Sequence, residues 1–409
     1  MKDRILVLLV FLGYLQSSIG CPNRTGPDSS DFFKTKNCDD NCTFKYRKIS
    51  KSTIGAFPTS CETVCADIVI DQNSELTEEQ LTAAFKNMKH LIGEFYVYCT
   101  EFTNARFFAG LESIETDFSQ ITWEDNYRME ELGLTNLTSI TSAGMIIWSG
   151  VAMKRLNLPN LKAARTTSPK YAEVRIETIN MNSNFCITFN EMENLMSIDN
   201  VDLTFIDAIY CTPTPEDKIC TTPVEGCTRI YGDVEIGPAF DLKTMKSVEL
   251  IFGTLIINGT ELSNLSFLEN LKYVAPLGYK PAFLATPARG ERKFAIIIEN
   301  NPNLVNYTFP KLKRARGDES YIIVLDNNNE ELLYNYEMCE QLKNQLNTTK
   351  NPTIDGSTCY SIQWKAASRD ASRKNWIILG LIISAGVLAL IITLIACCCC
   401  CKKSQRDKG

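Results

Sequence analysis

Histidine is almost absent from this sequence, because His90 is the single one among 409 residues. Catalysis and metal binding by clustered imidazoles are therefore not expected. The chain also has no excess of positive charge: 42 Lys and Arg stand against 48 Asp and Glu, for a formal net charge of −6 at pH 7. A function in nucleic-acid binding is accordingly not expected.

Enzymatic signature motifs are missing as well. The sequence contains no nucleophile elbow G-x-S-x-G, no zinc-protease H-E-x-x-H and no phosphate-binding G-x-x-x-x-G-K-S/T. Each of these motifs places a nucleophile, a metal ion or a phosphate, and paired acids alone are too common to replace them. We therefore expect a protein that is not an enzyme and that uses neither a cofactor nor a metal ion.

The first 20 residues have the organisation of a secretory signal peptide. Lys2 and Arg4 form a basic start, residues 5–12 form an apolar core, and Ser18 and Gly20 are small residues of the kind found at cleavage sites. The apolar run is too short to cross a bilayer, which needs about 20 residues. We expect cleavage near Gly20 and export of the following chain.

A second apolar run, residues 376–396, is long enough to span a membrane. A helix of this length covers about 30 Å, the thickness of the hydrocarbon core. Four basic residues follow the run: Lys402, Lys403, Arg406 and Lys408. With the signal peptide, this predicts a single-pass type I protein of the plasma membrane whose N-terminus is extracellular. A glycolipid anchor at the small residues 366–368 is the alternative, and the polar tail after the run disfavours it.

Five consecutive cysteines stand at the predicted cytosolic edge of this helix: Cys397, Cys398, Cys399, Cys400 and Cys401. Disulfides do not persist in the cytosol, so we expect lipidation of these residues by S-palmitoylation. The alternatives are small interfacial residues without modification and, less favoured, a site for a soft metal ion. The tail after them is too short for a domain, so inward signalling would need a partner receptor.

The predicted ectodomain, residues 21–375, carries the remaining twelve cysteines. An even number in an exported chain indicates a disulfide framework, whose connectivity the sequence leaves open. Zinc binding by the closely spaced pairs at 38/42 and 61/65 is the weaker interpretation, because export is oxidising and no histidine completes a ligand set. Seven glycosylation sequons are spread over the region: Asn23, Asn41, Asn136, Asn258, Asn264, Asn306 and Asn347.

The ectodomain contains an internal repeat. Residues 93–114 align without a gap to residues 253–274, and residues 61–70 upstream align to residues 227–236. Six positions of the longer segment are identical: Gly93/Gly253, Thr100/Thr260, Glu101/Glu261, Asn104/Asn264, Phe107/Phe267 and Leu111/Leu271. The chain therefore holds two copies of one domain, the first copy and the second copy.

Short alternating strands recur in both copies, at 68–70 and 95–97 in the first and at 234–236, 255–257, 295–298 and 322–325 in the second. Their separation by roughly 20 to 30 residues is typical of solenoids, in which each coil adds one strand to a parallel sheet. A capping box at Thr77 and Gln80 predicts a short amphipathic helix between the first two strands.

A cysteine-led strand, a helix and then the pattern G-x-ϕ-x-ϕ-x-x-T-x-ϕ-x-N-x-x-ϕ-ϕ-x-x-L-x-x-ϕ, where ϕ is apolar, resemble the receptor L domain, the ligand-binding module of insulin and EGF receptors. The resemblance implies an α/β fold of two single-stranded right-handed β-helices, similar to leucine-rich repeats. The first copy departs at Cys99, which stands where the second has Gly259. Without an intervening cysteine-rich domain or a kinase, the arrangement is most similar to kinase-less, membrane-anchored L-domain proteins of nematodes.

Repeat and resemblance together predict the organisation of the chain: signal peptide 1–20, cysteine-containing N-terminal segment 21–60, first L domain 61–211, linker 212–226, second L domain 227–359, juxtamembrane stalk 360–375, transmembrane helix 376–396 and cytoplasmic tail 397–409. The equivalent positions of cysteines at the two domain ends also suggest two capping disulfides, Cys186–Cys211 and Cys339–Cys359. Solenoids need such caps where the stacking of coils stops.

By similarity, receptor L domains receive ligand on outward side chains of their early strands, which implies a binding face on the first copy. With Phe95 and Val97 inward, a period of two places Tyr96 and Tyr98 outward. The candidate ligand-binding residues are Asp67, Tyr96, Tyr98 and Trp123. The alternative is that the tyrosines are strand formers covered by another part of the protein. In the second copy a glycan at Asn258 would obstruct the matching face, and His90 is expected to be a surface or packing residue.

These observations predict a cell-surface, receptor-like protein that binds a secreted polypeptide, insulin- or EGF-like, or another receptor ectodomain. It would act as a co-receptor or a decoy. The alternative is an adhesion or structural repeat protein that contacts another membrane protein or the matrix.

Overall fold

The computed structural model describes Cys21 and residues 28–278, 294–317, 322–346 and 352–406. The predicted signal peptide and the sequons Asn23 and Asn347 lie outside the described residues. For the five cysteines at 397–401 only the helical backbone is described, so palmitoylation stays a prediction.

The first copy and the segment before it are built from short strands and three helices within the described residues. The strands are β1 (Thr63–Cys65), β2 (Ile68–Ile70), β3 (His90–Ile92), β4 (Phe95–Tyr98), β5 (Ser113–Glu115), β6 (Gln120–Glu124), β7 (Ser139–Thr141), β8 (Gly144–Trp148), β9 (Ala163–Arg165), β10 (Val174–Ile179), β11 (Cys186–Ile187), β12 (Val201–Asp202) and β13 (Ile209–Tyr210). The helices are α1 (Ser30–Thr35), α2 (Glu78–Phe85) and α3 (Phe189–Ser197).

Most of these strands alternate between two sheets, while β11 and β13 form a small sheet of their own. Strands β1, β3, β5, β7 and β9 form a five-stranded sheet in sequence order, and the even-numbered strands β2 to β12 form a six-stranded sheet. Neighbouring strands are parallel in both. Each pass of the chain therefore adds one strand to each sheet, and the six-stranded sheet presents one broad outer face.

The second copy repeats this scheme. Its elements are β14 (Arg229–Tyr231), β15 (Val234–Ile236), β16 (Leu250–Phe252), β17 (Leu255–Asn258), β18 (Tyr273–Val274), β19 (Ile296–Glu299), β20 (Arg314–Ala315), β21 (Ile323–Asp326), β22 (Thr353–Ile354), α4 (Tyr336–Gln345) and α5 (Cys359–Arg406). Strands β14, β16, β18 and β20 form one parallel sheet, and β15, β17, β19, β21 and β22 form the other. The strands predicted from alternation all belong to the six-stranded sheet or to this last sheet.

The core of the first copy is a ladder of inward side chains, one from each successive strand. Ile68, Phe95, Ile121, Met145 and Ile176 are in register and are at most 1% exposed. Stacking identical coils buries one continuous apolar column, which no single coil could bury alone.

The helix α2 begins as the capping box predicts. Thr77 Oγ1 accepts a hydrogen bond from the Gln80 amide, and Gln80 Oε1 accepts one from the Thr77 amide. Leu81, Ala84 and Phe85 are buried, and the Phe85 ring stacks on Phe108 with centroids 4.7 Å apart. The helix therefore covers one side of the aromatic core.

The glycine that both copies share, Gly93 and Gly253, lies where two coils approach closely. A Cβ atom on Gly93 would stand 2.2 Å from the Ala66 carbonyl oxygen, and one on Gly253 would stand 2.1 Å from the Gly232 carbonyl oxygen. No side chain fits at that distance, so both copies keep glycine.

The threonine that both copies share, Thr100 and Thr260, makes the same local hydrogen bonds in each copy. Thr100 donates its amide and its hydroxyl to the buried Asn126 Oδ1, at 3.0 and 2.7 Å. Thr260 does the same with Asn301, at 2.8 and 2.6 Å. These pairs satisfy buried polar groups of neighbouring coils, which would otherwise be costly.

The predicted departure at Cys99 is explained by the backbone. Cys99 has φ of 53°, and its counterpart Gly259 has φ of 66°. Both therefore lie in the left-handed region, which glycine adopts at least cost. Cys99 is held there by a disulfide to Cys21.

The N-terminal segment covers the open end of the first copy. The Phe44 amide donates to the Cys65 carbonyl and the Ile49 amide to the Val69 carbonyl, so the segment pairs with the edge strands of both sheets. Two further disulfides, Cys38–Cys65 and Cys42–Cys61, fix it to β1. All four of these cysteines are therefore disulfide-bonded and offer no thiolate to the zinc site considered above. Covered edges cannot pair with another chain.

The far ends of the two copies carry the disulfides Cys186–Cys211 and Cys339–Cys359, the two pairs suggested by the repeat. The sixth disulfide, Cys220–Cys227, lies in the segment between the copies. Cys359 is also the first residue of α5. The base of the second copy is thereby joined covalently to the helix that leaves it.

The helix α5 continues from the second copy through the predicted stalk and the apolar run. Ile362 is fully buried against the second copy, and Arg369 donates to Glu331 at 2.8 Å while its guanidinium lies 3.7 Å from the Tyr334 ring centroid. Within the described residues α5 is the one helix long and apolar enough to cross a membrane. Residues 360–375 are thus a helical extension of this apolar segment.

The two copies are packed directly against each other. Phe189 and Tyr210 of the first copy and Tyr231 and Phe252 of the second form an aromatic cluster with centroids 4.8 to 5.8 Å apart. Arg316, which is 3% exposed, donates to the Leu203, Thr204 and Ile206 carbonyls of the first copy at 3.1 to 3.2 Å.

Candidate ligand-binding face

The outer face of the six-stranded sheet is organised in rows, because parallel register places equivalent outward residues side by side. The middle row runs through Tyr96, Thr122, Ile146 and Glu177. The row beside it runs through Tyr98, Glu124, Trp148 and Ile179. A ligand lying across the strands would contact both rows.

Tyr96 lies on this outer face as the strand period predicts. It is half-buried, whereas its neighbours Phe95 and Val97 are fully buried on the inward side. Its ligand-binding role stays a prediction, and its position on the face agrees with that role.

Tyr98 is outward but covered, so the expectation that both tyrosines are exposed is wrong for this residue. It is 1% exposed and packs with Val69 and Cys99 beside the half-buried Cys21. Its hydroxyl donates to Asp71 Oδ2 at 2.9 Å, and Lys48 of the N-terminal segment pairs with the same oxygen at 2.7 Å. Tyr98 therefore helps to seat the N-terminal segment.

Trp123 faces the core. Within β6, Ile121 and Trp123 are buried while the alternating residues are half-buried, which places Trp123 in the inward set. It is 1% exposed, and its ring centroid lies 5.1 Å from that of Phe95. A ligand on the outer face does not reach this side chain, so Trp123 is corrected to a core residue.

Asp67 is also covered. It is 4% exposed, and its Oδ1 accepts hydrogen bonds from the Ser29 hydroxyl at 2.5 Å and the Glu94 amide at 3.1 Å. Burial raises the pKa of Asp67, while the Ser29 and Glu94 hydrogen bonds act in the opposite direction. Because Ser29 belongs to the N-terminal segment, Asp67 is an attachment point for that segment.

The open part of the face lies on the later strands, which the sequence interpretation did not single out. Trp148 is 41% exposed, and its neighbours Ile146 and Ile179 are half-buried. Tyr96 lies in the same row as Ile146, with Thr122 of β6 between them, and these four residues are here named the β4–β10 patch. The apolar run Met145–Trp148 was the available signal, but a continuous apolar run does not show which of its side chains face outward.

An arginine flanked by two aromatic rings lies at one border of the face. The Arg175 guanidinium is 4.9 Å from the Tyr171 ring centroid and 5.2 Å from that of Phe205. It also pairs with Glu177 at 3.4 Å, and both rings are exposed. Aromatic residues and arginine are the types enriched in the energetic centres of protein interfaces.

The matching face of the second copy has an aliphatic row, Ile256, Ile297 and Val324, and every one of these is half-buried. Asn258 ends β17 beside this row, and its Oδ1 accepts a hydrogen bond from Asn300 at 3.0 Å. The sequons Asn41, Asn136, Asn264 and Asn306 are exposed.

His90 lies in β3, in the sheet that does not carry the candidate face. Its Nδ1 is 2.8 Å from the Ser113 hydroxyl of the neighbouring strand, and the residue is half-buried. This is a packing position between two strands, as expected.

Comparison with known proteins gives one family. The family model of the receptor L domain matches residues 60–150 and residues 226–344, about half of the chain. No curated protein matches the chain. The two matched regions contain the aligned repeats and most of the strands described above. The chain therefore belongs to the receptor L domain family and carries two such domains.

Proposed function

We propose that this protein is a non-catalytic, cell-surface receptor-like protein that captures a secreted polypeptide, insulin- or EGF-like, or another receptor ectodomain. The predicted signal peptide, the six disulfides and the apolar helix α5 support a type I protein of the plasma membrane. Each copy would be a single-stranded right-handed β-helix, which the alternation of strands between two parallel sheets supports.

The observation that carries the proposal is the β4–β10 patch. Trp148, Ile146 and Ile179 lie side by side on the outer sheet face, and Tyr96 lies in the row of Ile146 on the far side of Thr122. The N-terminal segment covers the early positions Asp67 and Tyr98. Soluble surfaces rarely leave aromatic and aliphatic side chains grouped in this way unless they bind a partner. A polypeptide ligand suits the patch because a flat sheet face offers no deep cavity for a small molecule.

The test uses the full chain on the surface of cells and labelled insulin- and EGF-like polypeptides. We expect saturable capture, and we expect Trp148→Ala to weaken it by about tenfold to thirtyfold, the range for an aromatic interface centre. Ile297→Ser, on the second copy, is the matched surface control and should leave capture unchanged. Capture that is indifferent to Trp148→Ala would remove the patch from the proposal.

The same cells distinguish the modes of action. As a co-receptor the chain would raise the response of a co-expressed signalling receptor to the captured polypeptide, and as a decoy it would lower that response. Cell aggregation without capture of any polypeptide would instead support adhesion and would overturn the proposed function.

A further inference from the structure

The two copies differ at one buried position next to the invariant glycine. In both, an aspartate accepts a hydrogen bond from the amide that follows this glycine: Asp67 from Glu94 at 3.1 Å, and Asp233 from Thr254 at 2.8 Å. Thr254 donates its hydroxyl to the Phe294 carbonyl at 3.0 Å. The first copy places a carboxyl group where the second copy has this neutral, satisfied side chain.

Glu94 is poorly accommodated as an anion. It is 3% exposed, and its Oε2 is buried without a hydrogen-bond partner, as is the nearby hydroxyl oxygen of Ser119. Burial raises the pKa of Glu94 to about 7; the nearby Ser119 hydroxyl acts in the opposite direction, and the carboxylates of Asp67 and Asp117 add to the rise. A protonated Glu94 would supply an O–H donor and would remove the repulsion with Asp67.

The N-terminal segment lies directly over this pair. Ser29 donates to Asp67 at 2.5 Å, and the Phe33 ring of α1 lies 3.1 Å from where a Cβ atom of Gly93 would stand. The charged groups of the segment nearby are Asp28, paired with Arg47, and Lys36, paired with Glu115, each at 2.5 Å. The members of both ion pairs are partly exposed, whereas Glu94 is buried, so the packing penalises the charge of Glu94.

We propose that the ionisation of Glu94, which is buried beside Asp67, makes the seating of the N-terminal segment depend on pH. Mildly acidic conditions hold the segment on the first copy, and neutral to alkaline conditions loosen it. The disulfides Cys38–Cys65 and Cys42–Cys61 keep the loosened segment attached. Loosening would uncover Asp67 and the early part of the outer face.

The direction of this pH effect follows from the linkage between proton binding and folding. The folded protein holds a proton on Glu94 up to a pKa of about 7, while the ordinary value is 4.5. The folded state therefore binds more protons between these values, and its stability falls as the pH rises through this window. Above pH 8 the stability that the proton on Glu94 contributes is lost completely.

The test is hydrogen exchange of residues 28–60 in the full-length protein in detergent, at pH 5.5 and pH 8, corrected for the intrinsic exchange rate. We expect the opening constant of the segment to rise at least about tenfold at pH 8, since one pKa unit corresponds to a factor of ten. Glu94→Thr, which installs the residue of the second copy, and the isosteric Glu94→Gln should both abolish the pH dependence.

Glu101→Gln is the control, because Glu101 is an exposed partner of Arg128, and it should retain the wild-type pH dependence. A wild-type opening constant that is equal at both pH values overturns the proposal, whatever the variants do. An opening constant that still depends on pH in Glu94→Gln overturns the proposal as well. Neither result bears on ligand capture by the β4–β10 patch.

Discussion

Two tryptophans on neighbouring strands show how one residue type serves two purposes in this fold. Trp123 on β6 is 1% exposed within the aromatic core, and Trp148 on β8 is 41% exposed on the outer face. Their strands are paired in register, with Trp123 opposite Ile147 and Trp148 opposite Glu124. The two tryptophans therefore differ in exposure because they occupy alternate positions along paired strands, one facing the core and the other facing outward.

Removing the buried ring should destabilise the protein strongly. We expect Trp123→Ala to lower the free energy of unfolding by about 3–5 kcal/mol, because it leaves a cavity beside Phe95 and Phe108. Trp148→Ala removes the same atoms from the surface and should change stability by about 0.5 kcal/mol. Chemical denaturation of both variants measures the contrast, and equal losses would contradict the assignment of the two faces.

The sequence predicted residue orientation well and residue exposure poorly. The period of two correctly placed Tyr96 and Tyr98 on the outer side of β4. It could not show that Tyr98 is covered, because the cover is formed by Cys21 and Lys48, which are distant in the chain and are brought there by a disulfide and an ion pair. Disulfide connectivity is not encoded in local patterns.

The stacking of coils sets the requirements at the scale of the element. Gly93 has φ of 140° and lies 2.2 Å, measured from an added Cβ, from the Ala66 carbonyl oxygen of the preceding coil. Any side chain there would push adjacent strands apart and would also strain the backbone.

We expect Gly93→Ala to destabilise the first copy by at least about 1–3 kcal/mol, since a strained backbone alone costs this much. Gly55→Ala is the control, because an added Cβ at Gly55 meets no atom within 4 Å. Thermal unfolding of the two variants measures the difference. A Gly93→Ala protein as stable as Gly55→Ala would show that the coils are not closely stacked at this point.

Element prediction succeeded where several signals agreed. Helix α2 was predicted by a capping box together with an amphipathic pattern, and strands β2 and β4 of the six-stranded sheet were predicted by alternation, whereas its later strands were not. The other sheet was missed, because strands such as His90–Ile92 and Ala163–Arg165 show no regular alternation of apolar and polar residues. Such strands are stabilised by their neighbours in the stack.

The contact between the two copies decides the behaviour of the whole molecule. Arg316 bridges the copies through backbone carbonyls of Leu203, Thr204 and Ile206, and Tyr210 donates its hydroxyl to the Ala275 carbonyl. Nothing in the sequence identifies these partners, because they are carbonyl groups, which every residue possesses. The repeat predicted two domains but not how they are joined.

We expect the copies to unfold as one cooperative unit and Arg316→Met to separate them. The substitution leaves several buried carbonyls without donors, each costing about 1–3 kcal/mol. Scanning calorimetry should therefore show one transition for the wild type and two for Arg316→Met. Arg128→Met, at an exposed position, is the control and should keep one transition. Two transitions in the wild type would mean that the contact between the copies is weak.

The most direct test of the account is the location of a captured polypeptide on the two copies. A photo-reactive amino acid placed at Ile146, on the β4–β10 patch, or at the outer-face residue Ile297 of the second copy would be irradiated on intact cells with bound ligand. We expect a cross-linked ligand at position 146 and none at position 297. Cross-linking at 297 alone, or binding without cross-linking at 146, would contradict it.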